Sequence, residues 1–269
     1  MADELSSVRR KLERADKHLK DLGDALIAFQ KAKADAVVRE DDPETPDYSR
    51  WVIPDVSVDE IIPLLLGDAV HNLRSALDHL IGGAIRANGN TPGDLTCFFV
   101  PRKPKPLRKE YESTLKGKVD GVSDPVLKAL SGLEPYQGGK EERLWLLDKL
   151  DIIDKHRLLL VVGIRLGEPS IGLNAGASLR RRATEAGWTD EIPDLWYGLT
   201  AADREPLEDG HPVFGALKTA FTEPDEQPQF LFDITLNEPG VIASQSILPT
   251  MSNLRQAVEE IIDLIAKLL

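Results

Sequence analysis

Apolar residues recur every three or four positions through the first half of this chain and again at its C-terminal end. Between those stretches the period gives way to short β-branched and aromatic runs. From Glu4 to about Val38, Leu5, Val8, Leu12, Ala15, Leu19, Leu22, Leu26 and Phe29 form one stripe. That spacing predicts a single long amphipathic helix. Residues 39–50 (REDDPETPDYSR) are a charged, Pro-containing break, and Trp51–Val56 reads as a short extended piece. A second helix is predicted from near Val58 to about Ala87, with Pro63 in its first turns, where the missing N–H costs little. After a loop containing Gly89, Asn90, Pro92 and Gly93, TCFFVP (96–101) reads as a short strand. Helical zones follow at 105–117 and 124–132, then a fourth helix at about 140–157.

From Leu158 the pattern changes. LLLVVGIRL, roughly 211–220, FLFDITL (230–236) and VIASQSIL (241–248) lie between turn signals and suggest an antiparallel sheet. Residues 176–210, with Arg180–Arg182, Trp188 and Trp196, show no period and read as irregular. Pro249 to Leu269 closes the chain as a marked amphipathic helix. The fold class expected is α+β, mainly α. A helical bundle occupies 1–157, a β-rich subdomain 158–248, and the C-terminal helix 249–269 returns to the bundle.

Composition narrows the compartment and the partners. Cys97 is the sole cysteine among 269 residues, so neither an intramolecular disulfide nor a thiolate zinc cage is expected. The N-terminus lacks the apolar stretch of a secretory signal, and no run approaches the ~20 apolar residues of a membrane span. A cytoplasmic protein without membrane contact is the expectation. The net charge of −12 argues against broad, nonspecific nucleic-acid binding. A local exception is 102–118, where Arg102, Lys103, Lys105, Arg108, Lys109, Lys116 and Lys118 face only Glu110 and Glu112. That strip is either a solvated helix face or a phosphate-contacting surface.

The candidate chemistry lies in GDAVHNLRSALDHL, 67–80. With Asp68 at 0° and about 100° per residue, His79, Asn72, Ser75, His71, Asp78 and Arg74 fall between roughly +40° and −120°. Ala69, Val70, Leu73, Leu77 and Leu80 occupy the opposite arc. Two histidines, two carboxylates, an amide and an arginine on one face, without lysine or glutamate, suit directional hydrogen bonds or proton transfer better than plain solvation. The fourth helix carries Asp148, Asp151, Lys155 and His156 within an otherwise apolar sequence. Its charges need partners if it is buried. Asp68, Asn72, Asp151, Lys155 and His156 are therefore the candidate binding set beside Arg74, His79, His71 and Asp78. A metal centre shared by His71 and His79 is disfavoured, because two helical turns put them about 12 Å apart along the axis; no metal and no cofactor are expected.

RADKHLKDL (14–22), GDAVHNLRSALDHL (67–80), TCFFVP (96–101) and LDIIDKHR (150–157) together resemble an uncharacterised bacterial protein group, a likeness that implies no activity. Arg74 and His79 form an Arg-x4-His motif that resembles that of HEPN-type ribonucleases. This second resemblance covers those two residues and the bundle setting. It implies a metal-independent ribonuclease acting as a homodimer, the motif helices of two subunits facing one another. RNA or a nucleotide would be the ligand. The histidine would move the proton of the ribose 2′-OH and the arginine would stabilise the phosphorane, assisted by His71 and Asp78. The alternative from the residues alone is a non-catalytic helical interaction protein in which the same groups form a buried polar network. The two part on whether Arg74 and His79 open to solvent or lie against Asp148, Asp151 and Lys155.

Overall fold

The computed structural model describes residues 4–104, 106–157, 162–166, 196–197, 207–218 and 227–269. It is mainly helical with small antiparallel sheets. In chain order the elements are α1 (Ser6–Ala36), β1 (Val38–Asp41), β2 (Tyr48–Ile53), α2 (Ile61–Ala87), α3 (Arg108–Lys118), α4 (Asp124–Ser131) and α5 (Glu142–Arg157). They continue with β3 (Val162–Leu166), β4 (Trp196–Tyr197), β5 (His211–Leu217), β6 (Phe232–Glu238), β7 (Ile242–Ser246) and α6 (Ile247–Ala266). Among the described residues no helix is long and apolar enough to cross a membrane.

The chain divides into two compact units. The first comprises Met1–Asp24, Glu60–Val161 and Glu238–Leu269. At its centre runs α2, against which α5 and α6 pack while also touching each other; α4 adds to α6 and pairs with α3. Leu66, Val70, Leu73, Leu77, Leu80 and Ile81 of α2 are fully buried, each worth about 1.5–3 kcal/mol of apolar transfer. Two glycines let neighbours come close. A Cβ on Gly83 would stand 2.7 Å from the Glu4 carbonyl, and one on Gly67 would stand 2.3 Å from Asp154 Oδ1. Arg86 pairs with Glu4, just before α1, and Arg255 of α6 pairs with Asp16 of α1.

The second unit comprises Ala25–Asp59 and Val162–Asn237. Here β1 and β2 pair antiparallel from Val38↔Val52 to Asp41↔Ser49. In the turn between them Asp42 Oδ1 accepts the Glu44 and Thr45 N–H groups. Next to β2 lies β5, with a bulge between Trp51 and Val52, and β4 borders β5. A second ladder joins β3 to β6 from Val162↔Leu236 to Leu166↔Phe232. Trp51, Phe214 and Phe230 meet edge to face at 5.2 and 6.3 Å between centroids, an aromatic core for this unit. Lys33 Nζ reaches the Asp55 carbonyl at 2.8 Å and its carboxylate at 2.9 Å, fixing the end of α1 to the segment after β2.

Several expectations need correction. The charged break at 39–50 holds a β-hairpin: β1 is exposed along its length, so it has no alternation to read. Its residues belong with the sheets rather than with a 1–157 bundle, because β2 is completed by β5 from far along the chain. TCFFVP is not a strand. Its central residue, Phe98, satisfies its backbone on side chains of α2 instead of a neighbouring strand. The run 241–248 ends in helix rather than strand, since α6 opens at Ile247 with Pro249 in its first turn. Residues 158–161 and most of 176–210, including Arg180–Arg182 and Trp188, lie outside the described residues.

Candidate functional site

The polar face of α2 divides into parts with different partners. Arg74 is buried and bonded to three partners. Its Nε donates to Asp148 Oδ1 of α5 at 2.9 Å, Nη1 to Asp78 Oδ1 at 2.6 Å, and Nη2 to the Phe98 carbonyl at 2.9 Å. Asp78 Oδ1 in turn accepts the Phe98 N–H at 2.8 Å. One guanidinium thus pins α2, α5 and the 96–101 segment together. Burial works against its charge, but Asp78 and Asp148 outweigh that and hold it above its ordinary value. The fork geometry of Arg makes this three-way junction; a lysine could not span it.

One turn towards the N-terminus, His71 faces a different carboxylate. Its Nδ1 lies 3.0 Å from Asp151 Oδ1, and its Nε2 lies 3.4 Å from Ser75 Oγ. Asp151 is 3% exposed, and its other oxygen accepts Lys155 Nζ at 2.5 Å. The His71 ring is about half exposed, oriented by a buried, ion-paired aspartate. Nearby, Asp154 is held above its ordinary carboxylate value by burial and by the negative charges of Asp151 and Asp68. His18 of α1 is buried with Nδ1 3.7 Å from Asp68 Oδ2, too long for a hydrogen bond. Asn72 turns back on its own helix, donating to the Asp68 carbonyl at 2.8 Å. This end is acidic and unsuited to a polyanion.

His79 faces elsewhere. It lies five residues from Arg74, about 140° around the helix, and is exposed while Arg74 is buried. Burial of part of the ring lowers its pKa below the ordinary 6.5; Lys11, Arg86 and Arg10 push the same way, and Asp78 opposes them. His79 is thus held below its ordinary value, within electrostatic reach of three cations from α1 and the last turn of α2. Arg86 Nε also donates to Glu4 Oε2 at 3.0 Å.

Of the residues singled out from sequence, Arg74, Asp78 and Asp148 converge on one cluster, and His71, Asp151 and Lys155 on another. His79 stands apart from both, and His156 is exposed on α5. Arg74 and His79 therefore do not act on a common point. Sequence reasoning missed Arg10, Lys11 and Arg86 as companions of His79. Arg86 lies seven residues on, on the same helical face, and that spacing was the available signal. Burial pushes the Cys97 thiol up, away from nucleophilic use. Of the 102–118 strip, Lys109 and Lys116 are exposed on α3 while Tyr111 and Leu115 face inward; Lys105 lies outside the described residues. Among the described residues no group of three or more His, Cys, Asp or Glu is placed to hold a metal ion. Comparison with protein-family models, curated proteins and solved structures finds no match to this chain.

Proposed function

We propose that the chain is a metal-independent ribonuclease in which His79 is the general base, with Arg10, Lys11 and Arg86 in the charge-stabilising role that the HEPN resemblance gives to Arg74; in this it departs from the Arg-x4-His pairing. The observation that carries this is the exposed His79 side chain on the face of α2 that also carries Arg86, its pKa pushed down by partial burial and by Lys11, Arg86 and Arg10. His79 takes the ribose 2′-OH proton, the 2′-oxygen attacks phosphorus, and the 5′-oxygen leaves with a proton. A 2′,3′-cyclic phosphate and a 5′-hydroxyl result. The cations neutralise the charge that builds on the non-bridging oxygens. A proton donor for the leaving oxygen is needed, and His71 is two turns away, about 12 Å along the axis. In this reading solvent water at the exposed His79 supplies it, and the active species is a homodimer as the resemblance implies.

A second reading has its own support. The bonding of Arg74 to Asp148, Asp78 and Phe98 is what a non-catalytic bundle with a register-fixing polar network would have. One experiment separates them. Labelled single-stranded RNA is incubated with the protein in excess chelator, for wild type and for the Arg10→Glu/Lys11→Glu variant. The ribonuclease reading expects cyclic-phosphate products, a rate at least tenfold lower in the variant, and a log–log salt slope of about −2 for roughly three phosphate contacts. Absence of cleavage in wild type across pH and salt would leave the interaction reading standing.

A further inference from the structure

Away from α2, a cavity of about 180 Å³ opens between α3, the end of α4 and the loop that leads into α5. Arg108, Tyr111, Ser131, Glu134, Tyr136 and Lys140 line it. A drug-sized ligand fills roughly 300 Å³ or more, so this space suits one planar ring system with its substituents left outside. At about 30 Å³ per water it would otherwise hold roughly six.

The loop is wound in a way that local preference does not favour. Glu134 adopts φ 52°, a left-handed conformation that glycine takes freely and glutamate does not, and Pro135 follows it. The chain then folds back onto the Glu134 carbonyl. Tyr136 N–H donates to it at 2.9 Å, and the Gly139 N–H donates to the Tyr136 carbonyl at 2.8 Å. A Cβ on Gly139 would stand 2.2 Å from the Glu134 oxygen, and Gly138 has φ 76°. Both glycines are therefore required by the backbone. Strained non-glycine residues of this kind collect at ligand sites. Here the winding sets the Glu134 carboxylate and the half-buried Tyr136 ring on the cavity wall. Lys140 Nζ lies 3.7 Å from Glu134 Oε1, and Arg108, 89% exposed at the mouth, donates its Nε to Glu112 Oε1 at 2.8 Å.

We propose that this cavity binds a guanine nucleotide, its base stacked on Tyr136 and its phosphate outside between Arg108 and Lys140. Stacking on an aromatic ring accepts any base, so the selectivity comes from Glu134. A carboxylate offers two acceptors side by side and no donor. Guanine alone among the common bases presents two adjacent donors on one edge, N1–H and the N2 amino group. Adenine and cytosine each place an acceptor beside their amino group, which a carboxylate repels, and uracil flanks its single N–H with two carbonyls. Lys140 and Arg108 are both largely exposed, and on binding they turn from Glu134 and Glu112 towards the phosphate.

Isothermal titration of the full chain with GMP, AMP and guanosine tests this. Wild type is expected to bind GMP saturably, at least tenfold tighter than AMP and tighter than guanosine. Glu134→Gln keeps the backbone and shape and is expected to erase the GMP preference. Tyr136→Ala weakens both nucleotides tenfold or more, while Tyr136→Phe retains them and shows that the loop still folds. Arg108→Glu/Lys140→Glu brings GMP down to the level of guanosine. No saturable GMP binding, equal binding of GMP and AMP, or an unchanged preference in Glu134→Gln would overturn the proposal. Neither result depends on chemistry at His79. GMP binding without RNA cleavage upholds the cavity and removes the ribonuclease, and cleavage without GMP binding does the reverse.

Discussion

Replacing Arg74 with alanine separates a structural arginine from a catalytic one. The change removes donors to Asp148, Asp78 and the Phe98 carbonyl at 2.9, 2.6 and 2.9 Å. Asp148 is 15% exposed, so its carboxylate would be left charged and mostly desolvated; Asp78, at 39%, can recover water. Breaking a fully buried ion pair from one side costs about 3–5 kcal/mol, and the exposure of Asp78 sets the expectation at the lower end, about 3 kcal/mol. At roughly 2–4 °C per kcal/mol for a chain of this class, Tm should fall by about 6–12 °C. Urea titration with an unchanged m-value confirms that the folded state, and not the transition type, has changed. Arg74→Lys should recover only part of the loss, since one ammonium cannot bridge three acceptors in three directions. A Tm within about 1 °C of wild type, corresponding to under ~0.5 kcal/mol, together with lost RNA cleavage, would refute this reasoning and return Arg74 to a catalytic role.

Three further outcomes follow from the same geometry. Gly83→Ala should destabilise by about 1–3 kcal/mol through overpacking against the Glu4 carbonyl; an ordinary helical Gly→Ala change would instead gain about 1 kcal/mol, so the sign of a denaturation midpoint shift decides. Asp154 has a raised pKa, so its stabilising contribution is present below the ordinary aspartate value of 3.8 and is lost as pH rises through the folded value. Asp154→Asn should therefore melt higher than wild type near neutral pH and equal to it in acid; a lower Tm at neutral pH contradicts this. Asp55, bonded to Lys33 and to the Ser57 backbone, is lowered to about 2. Its contribution is present above 3.8 and disappears as pH falls through about 2, and Lys33→Met should move its NMR titration midpoint upwards.

The helices were largely legible in the sequence, because a period of three and four over 20 or more residues survives any tertiary context. Leu66, Val70, Leu73, Leu77 and Leu80 are fully buried, as their shared arc requires. The strand at 96–101 was misread for a physical reason. Apolar content resembles a ladder residue pattern, yet Arg74 supplies the donor and Asp78 the acceptor that a neighbouring strand would have given Phe98. The hairpin at 38–53 is hidden in the sequence because β1 is exposed along its length and β2 has its second neighbour, β5, more than 150 residues away. At the site, helical angles identified the polar face of α2 but not what each residue meets. Arg74, at the edge of that face, is drawn inward by Asp148, a choice made by the register of α2 against α5. Two of the companions of His79 come from α1, whose RRK run at 9–11 reads in sequence as ordinary surface charge.

Arg74 is buried and His79 exposed on the same helix, and the proposed catalysis belongs to the second alone. The most direct test measures Tm and chelator-resistant RNA cleavage on the same preparation of His79→Ala. Because His79 is exposed, the account predicts a Tm within about 1 °C of wild type and cleavage reduced at least a hundredfold, a typical loss for a general base. Cleavage at the wild-type rate with an unchanged Tm would contradict it.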